Sequence, residues 1–122
     1  MSSLLHNALL IGTVLCIVAN AVETVAKAMR ARFVLENSAA VGLDERWLPS
    51  LAVLEGLGVA GLVLGLLWIP PLGLAAAVGL VLFFVVAIVV HCRARVLSNL
   101  AFPSTFLVLA VAATGYFAVY GG

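Results

Sequence analysis

Thr13, Cys16, Asn20, Glu23 and Lys27 recur at spacings of three and four in a stretch otherwise rich in Ala, Val, Leu and Ile. On a helix that spacing puts all five on one face. A carboxylate, an ammonium and an amide on one face can hold a small molecule and trade protons with it, provided the face is turned away from lipid. Three further stretches add polar groups: Glu55 in "AVLEGLG", His91 and Arg93 in "VVHCRAR", and Ser98 and Asn99 in "SNLAFPS". At about 1.5 Å per residue, Glu23 lies about 10 Å along its helix from Arg30, and Glu55 about 9 Å from Pro49. The two carboxyls therefore fall at similar depth, with His91 and Asn99 nearer the end.

The chemistry this suggests is general acid–base work. Glu23 and Glu55 share a proton, one as acid and one as base, and His91 relays protons outward. Asn20, Lys27, Arg93 and Asn99 are the candidates for holding a substrate. A plainer reading stands beside this one. Glu23 and Lys27, four apart in the favourable order, form a local pair. Lys27 snorkels to the interface, and Glu55 pairs with Arg93 or His91 only to lock the helices. Cys16 on its own reads as a small buried apolar residue.

The elements that must position these groups follow from composition. The chain has 122 residues, of which 66% are hydrophobic and 9% charged. Soluble domains run nearer about 45–50% and 25%. Four stretches, roughly 4–28, 51–68, 72–90 and 100–120, are long and apolar enough to cross a membrane as helices. "WIPPLG" makes a tight Trp-anchored turn in which Pro70 and Pro71 stop one helix and start the next. Short connections make successive helices antiparallel neighbours, so the expected fold is all-α: one integral membrane domain, a four-helix up-down bundle. The segment 30–48 is the longest piece outside the spans, either a solvated linker or a lid over that end. Gly58, Gly61 and Gly65 in the second span, and Gly73 and Ala77 in the third, allow close helix approach within the bundle or between subunits.

Several function classes drop out. A formal net charge of +1 offers no basic face for nucleic acid. Cys16 and Cys92 sit at different depths, and no metal-ligand spacing joins them. No nucleotide loop, nucleophile motif or metal cluster is present, and no cofactor is expected.

"LAVLEGLGVAGLVLGLLWIPPLGLAAAVGLVLFFVVAIVVH" resembles the second and third helices of the DoxX-like membrane proteins. Lys27, Glu55 and His91 match that family's Lys closing the first helix, Glu opening the second and His after the third. Thr24 stands where the family often has Gly, and Glu23 lies outside the common pattern. The resemblance implies a four-helix integral membrane protein, with some relatives serving membrane redox systems such as the small subunit of a thiosulfate:quinone oxidoreductase.

Two functions follow. One is acid–base chemistry (isomerase, cyclase or epoxide-opening type), or service as a quinone-linked oxidoreductase subunit, on an apolar ligand of the quinone, terpenoid or epoxide type. The other is a non-catalytic membrane anchor of a redox complex. A proton-coupled small transporter is a third possibility, and a homodimer or a membrane redox partner fits any of them.

All six basic residues fall on one side of the four-helix reading: Lys27, Arg30, Arg32 and Arg46 in or beside the first connection, and Arg93 and Arg95 in the third. Lys and Arg in short loops resist translocation. The expected location is the plasma membrane, with both termini, Met1 and Gly122, outside the cytoplasm. "MSSLLHN" lacks a positive leader region, so the first helix is expected to stay as a span rather than be cleaved at "ANA". A membrane-impermeant thiol probe applied to intact cells should label a cysteine added at the C-terminus and miss one placed at Ser38. The reverse pattern would overturn the topology.

Overall fold

The computed structural model describes residues 2–121. The terminal residues Met1 and Gly122, on which the expected orientation was phrased, lie outside the described residues. The chain forms α1 (Ser2–Ala28), α2 (Arg32–Ala40), a 3-10 turn at Glu45–Trp47, α3 (Leu48–Leu67), α4 (Pro70–Arg93) and α5 (Ala101–Tyr120). No strand occurs among the described residues. Helices α1, α3, α4 and α5 are long and apolar enough to cross a membrane. They close a ring in which α1 touches α3 and α5, and α4 touches the same two. Facing positions run in opposite directions at every seam: Gly65 opposite Gly73 and Gly58 opposite Leu80, Thr24 opposite Gly56 and Lys27 opposite Glu55, Gly12 opposite Ala112 and Leu9 opposite Gly115, and Gly73 against Phe117 and Phe84 against Phe106. This is the expected four-helix up-down bundle.

Element boundaries shift for identifiable reasons. Helix α3 begins at Leu48 rather than 51, and α4 at Pro70 rather than 72, because each takes its prolines into the first turn. There the missing N–H costs no internal hydrogen bond. Helix α4 runs on to Arg93 instead of 90, and α5 opens at Ala101. The segment 30–48 is not a plain loop, since it holds α2 and the 3-10 turn. Arg30 (φ 54°), Gly42 (φ 76°) and Arg95 (φ 58°) turn left-handed just past the ends of α1, α2 and α4. At each, the following N–H reaches back five residues: Ala31 to Ala26 O at 3.0 Å, Leu43 to Ser38 O at 2.8 Å, and Val96 to His91 O at 3.0 Å. These closures satisfy carbonyls that the helix ends would otherwise orphan. Ser38 is a buried residue of α2, so the exposed Glu36 on the same helix is the better place for the topology probe.

Burial on α1 is the reverse of a soluble amphipathic helix. Thr13, Cys16 and Asn20 are fully buried, while Val14, Val18, Val22 and Val25 face outward at spacings of three and four. A helix that hides its polar stripe and shows its valines is adapted to an apolar solvent. The stripe's donors turn to the nearest carbonyls of their own helix: Thr13 to Leu9 O at 2.8 Å, Asn20 to Cys16 O at 2.8 Å, and Thr24 to Asn20 O at 2.7 Å. The core between helices holds Cys16, Leu62, Ala77, Leu80, Phe84, Ala110, Ala113 and Phe117. Cys16 and Cys92 are both free.

The seam between α3 and α4 is graded. A Cβ added at Gly65 would strike the backbone of Gly73, one at Gly61 would come 2.6 Å from the Ala76 Cβ, and one at Gly58 would come 2.7 Å from the Leu80 side chain. Backbone meets backbone near the "WIPPLG" turn, and larger side chains intervene toward the other end. Gly65→Val should therefore destabilise the bundle by about 1–3 kcal/mol through overpacking. Gly79, which has open space around its Cβ position, should tolerate Ala with little change. Thermal unfolding of both variants in detergent checks this, and equal stability would refute the close-packed seam.

Candidate functional site

The polar groups of the spans meet at the end of the bundle that carries the Lys and Arg residues. Lys27 lies in the last turn of α1, where the helix dipole favours a cation. Its ammonium donates to Glu55 Oε1 across the α1–α3 seam at 2.7 Å and to Glu23 Oε2 on its own helix at 3.3 Å. Glu55 is wholly buried, whereas the Lys27 and Glu23 side chains keep 15% and 22% exposure. The same ammonium stands 5.9 Å from the centre of the Phe83 ring on α4, at the outer limit of a cation–π contact. One nitrogen thus links α1 to α3 and touches α4.

Beside this cluster lies a cavity of about 750 Å³. Its inner wall is Leu80, Phe83, Phe84 and Phe106. Toward the middle of the bundle it runs along α3 and α4 past Gly58, Gly61 and Gly79 to Leu72. Leu54, Leu57, Leu82 and Val86 line it and are also exposed, so the cavity is open sideways between α3 and α4 to the surrounding lipid. At the charged end it is lined by Glu23, Lys27, His91, Asn99 and, from α2 and the residue that caps it, Phe33, Val34, Asn37, Ser38 and Val41. Helix α2 lies over that end and is tied down by Asn99 Nδ2 donating to Asn37 Oδ1 at 3.1 Å. His91 Nδ1 stands 2.7 Å from Ala87 O. A carbonyl can only accept, so Nδ1 carries the proton and, in the neutral ring, Nε2 holds the lone pair.

Glu23, Lys27, His91 and Asn99 all line the cavity. Glu55 and Asn20 sit behind its wall, fully buried, and each keeps one oxygen, Glu55 Oε2 and Asn20 Oδ1, without a partner among the described residues. The Lys27 ammonium stands between the two carboxyls. Glu55 pairs with Lys27, not with Arg93 or His91. Arg93 is exposed and does not line the cavity. Two positions after His91, it is rotated about 200° around the helix, onto the opposite face. Sequence reasoning missed the α2 residues, whose signal was the amphipathic run "RFVLENSAA", and Phe83, Phe84 and Phe106, the aromatic wall. It also missed the far-end cluster in which His6 packs on Tyr116 and Tyr120 with ring centres 5.5 and 4.7 Å apart. Among the described residues no group of three or more His, Cys, Asp or Glu is placed to hold a metal ion.

Four apolar helices of membrane length, packed in a ring with an ion cluster at one end, define a small multi-pass membrane protein. Residues 11–113 match the model of the DoxX-like family, and the chain belongs to that family. No curated protein and no solved structure matches it.

Because Glu55 is fully buried, its charge depends on Lys27. Lys27→Met should destabilise the fold by about 3–5 kcal/mol, the usual cost of stranding one member of a buried pair. Adding Glu55→Gln should recover most of that loss. Unfolding in detergent measures both, and a single variant as stable as the parent would show the bridge to be dispensable.

Proposed function

We propose that the protein binds and acts on a lipid-soluble small molecule in the cavity between α3, α4 and α5, with its reactive end at the Glu23–Lys27–Glu55 cluster. The observation that carries this reading is the cavity's two-part wall. It is apolar and open to lipid along α3 and α4, and it ends on ionisable groups at one level of the bundle. Ligand sites are commonly concave and mostly apolar, with a few convergent polar groups. A molecule of the quinone, terpenoid or epoxide type enters from the bilayer, so the apolar body needs no aqueous route.

In the chemical step Lys27 holds Glu23 and Glu55 at fixed distance, and Glu23, the more exposed carboxyl, faces the ligand. His91 Nε2 takes or returns a proton at the mouth of the cavity. Helix α2 acts as the cover. The cluster opens to the cytoplasm of the plasma membrane, as the basic residues around it favour. A protein serving only as an anchor would keep its small-residue face for a partner. Here Gly58, Gly61 and Gly65 are packed on α4 inside the bundle.

Protein purified in mild detergent should retain an apolar molecule detectable by mass spectrometry after solvent extraction. Gly79→Trp, which fills the open stretch of the cavity without meeting a neighbour at Cβ, should abolish that retention while the protein stays folded. Glu55→Gln should keep the fold and lose turnover. Retention unaffected by Gly79→Trp would sink the proposed site.

A further inference from the structure

The cavity is long and narrow. We infer that it takes a single extended hydrocarbon chain, laid parallel to α4 with its polar head under α2 and its tail at Leu72, rather than a compact fused-ring body. This rests on the cavity being the binding site, as proposed above.

The lining residues of α4 give the shape. Leu72, Ala76, Gly79, Phe83, Val86 and Val90 all line the cavity, at spacings of three and four. Those are successive turns of one helix face, so the cavity is a groove that follows the helix and not a hollow at one level. From Leu72 to Val90 the strip runs about 27 Å, at about 1.5 Å per residue. Helix α3 supplies the facing strip, Leu51, Leu54, Gly58 and Gly61. The volume of about 750 Å³, spread over that length, leaves a mean section of about 28 Å². Such a slot is about 5 Å on a side and, with carbon atoms in contact about 3.5–4.0 Å apart, one hydrocarbon chain across.

Side-chain size makes the groove. Its middle is lined by Gly58, Gly61, Ala76 and Gly79, which have little or no side chain, and a Cβ at Gly79 would meet nothing within 4 Å. Leu54, Leu57 and Leu82 line it too and are more than half exposed, so they stand at its rim. Neither Gly65 nor Gly73, where the two backbones meet, is part of the lining. A chain gains no hydrophobic free energy by leaving the bilayer for this groove, because lipid tails are as apolar as leucine. What the groove offers is a fixed set of carbon contacts, individually small and collectively large. A linear chain meets both walls along its whole length. A fused-ring body is wider than the slot, leaves one edge in lipid and forfeits that share of the contact.

The test uses the full-length protein in phospholipid nanodiscs and four photoreactive probes, with labelled residues mapped by mass spectrometry. An extended chain advances about 1.2 Å per bond, so roughly twenty carbons fill the strip. Three linear alcohols of that length carry a diazirine near the head, at mid-chain or at the tail, and the fourth probe is a sterol with a diazirine in its rings. The label should move along α4 with the diazirine, from Val86 and Val90 through Gly79 to Ala76 and Leu72. Each linear probe should label its part of the strip about tenfold more than the outward-facing Val14, Val18 and Val22, which report bulk lipid. The sterol should label the strip no more than those valines. A label that stays in one place wherever the diazirine sits, or that runs in the reverse order, overturns the extended-chain assignment and leaves the site standing. A sterol that labels the strip as strongly as the linear probes does the same. Strip labelling by every probe no greater than that of the valines overturns the site itself and the assignment with it.

Discussion

The Lys27 ammonium between Glu23 and Glu55 is the interaction on which the rest of the structure depends. An ionisable group in hydrocarbon is costly, some 2.5–3.5 kcal/mol on insertion scales. Glu55 is fully buried, and its only polar partner among the described residues is Lys27, 2.7 Å away on the neighbouring helix. The pair therefore fixes the depth of α1 relative to α3: a slide of one helix by a turn would carry the ammonium about 5.4 Å from its carboxylate. With that register set, Thr24 lies beside Gly56 and the polar face of α1 turns inward as a whole. The second contact, to Glu23, keeps the ammonium at the cavity edge, so the buried pair and part of the cavity wall are made from the same three side chains.

The two ends of the α3–α4 seam serve different purposes. Near the "WIPPLG" turn, Gly65 and Gly73 bring the two backbones into contact. Toward the ion cluster the facing residue grows from Gly73 to Ala76 to Leu80, the helices are held progressively apart, and the cavity occupies the gap. Phe117 packs against Gly73 from α5, closing the tight end from the third side. Close packing at one end is what permits an opening at the other, because it anchors the hairpin without any polar contact there. Interiors pack near crystal density, so a cavity of this size is a property of the side chains chosen around it.

Much of this was legible from the residues. Length and composition gave four spans, the prolines gave the α3–α4 turn, and the polar spacing on α1 gave its inward face. What was not legible was rotation. Helices α3 and α4 are apolar on every side, so nothing in their sequences says which face meets which neighbour. Hence the sequence alone offers Arg93 or His91 as the partner of Glu55, and groups Arg93 with His91 although two positions turn a side chain to the opposite face. Helix α2 was hidden for another reason. Its nine residues are too few for a stable helix alone, and what holds them is the cavity end they cover and the bond from Asn99 to Asn37.

Asn20 and Glu55 carry the argument one step deeper into the membrane. Each is fully buried and each keeps an oxygen without a partner, in a setting where Thr13, Thr24, Thr105 and Thr114 all find carbonyls one turn back. Buried polar atoms in folded proteins are paired with few exceptions, and the exceptions tend to mark a function. A bundle built only for stability would do better with apolar residues of similar volume at both positions. The two oxygens stand instead behind the wall of the one end where the helices part, next to an ammonium already shared between carboxyls. Leaving two acceptors unmatched beside that ammonium is what an element built only for packing would avoid.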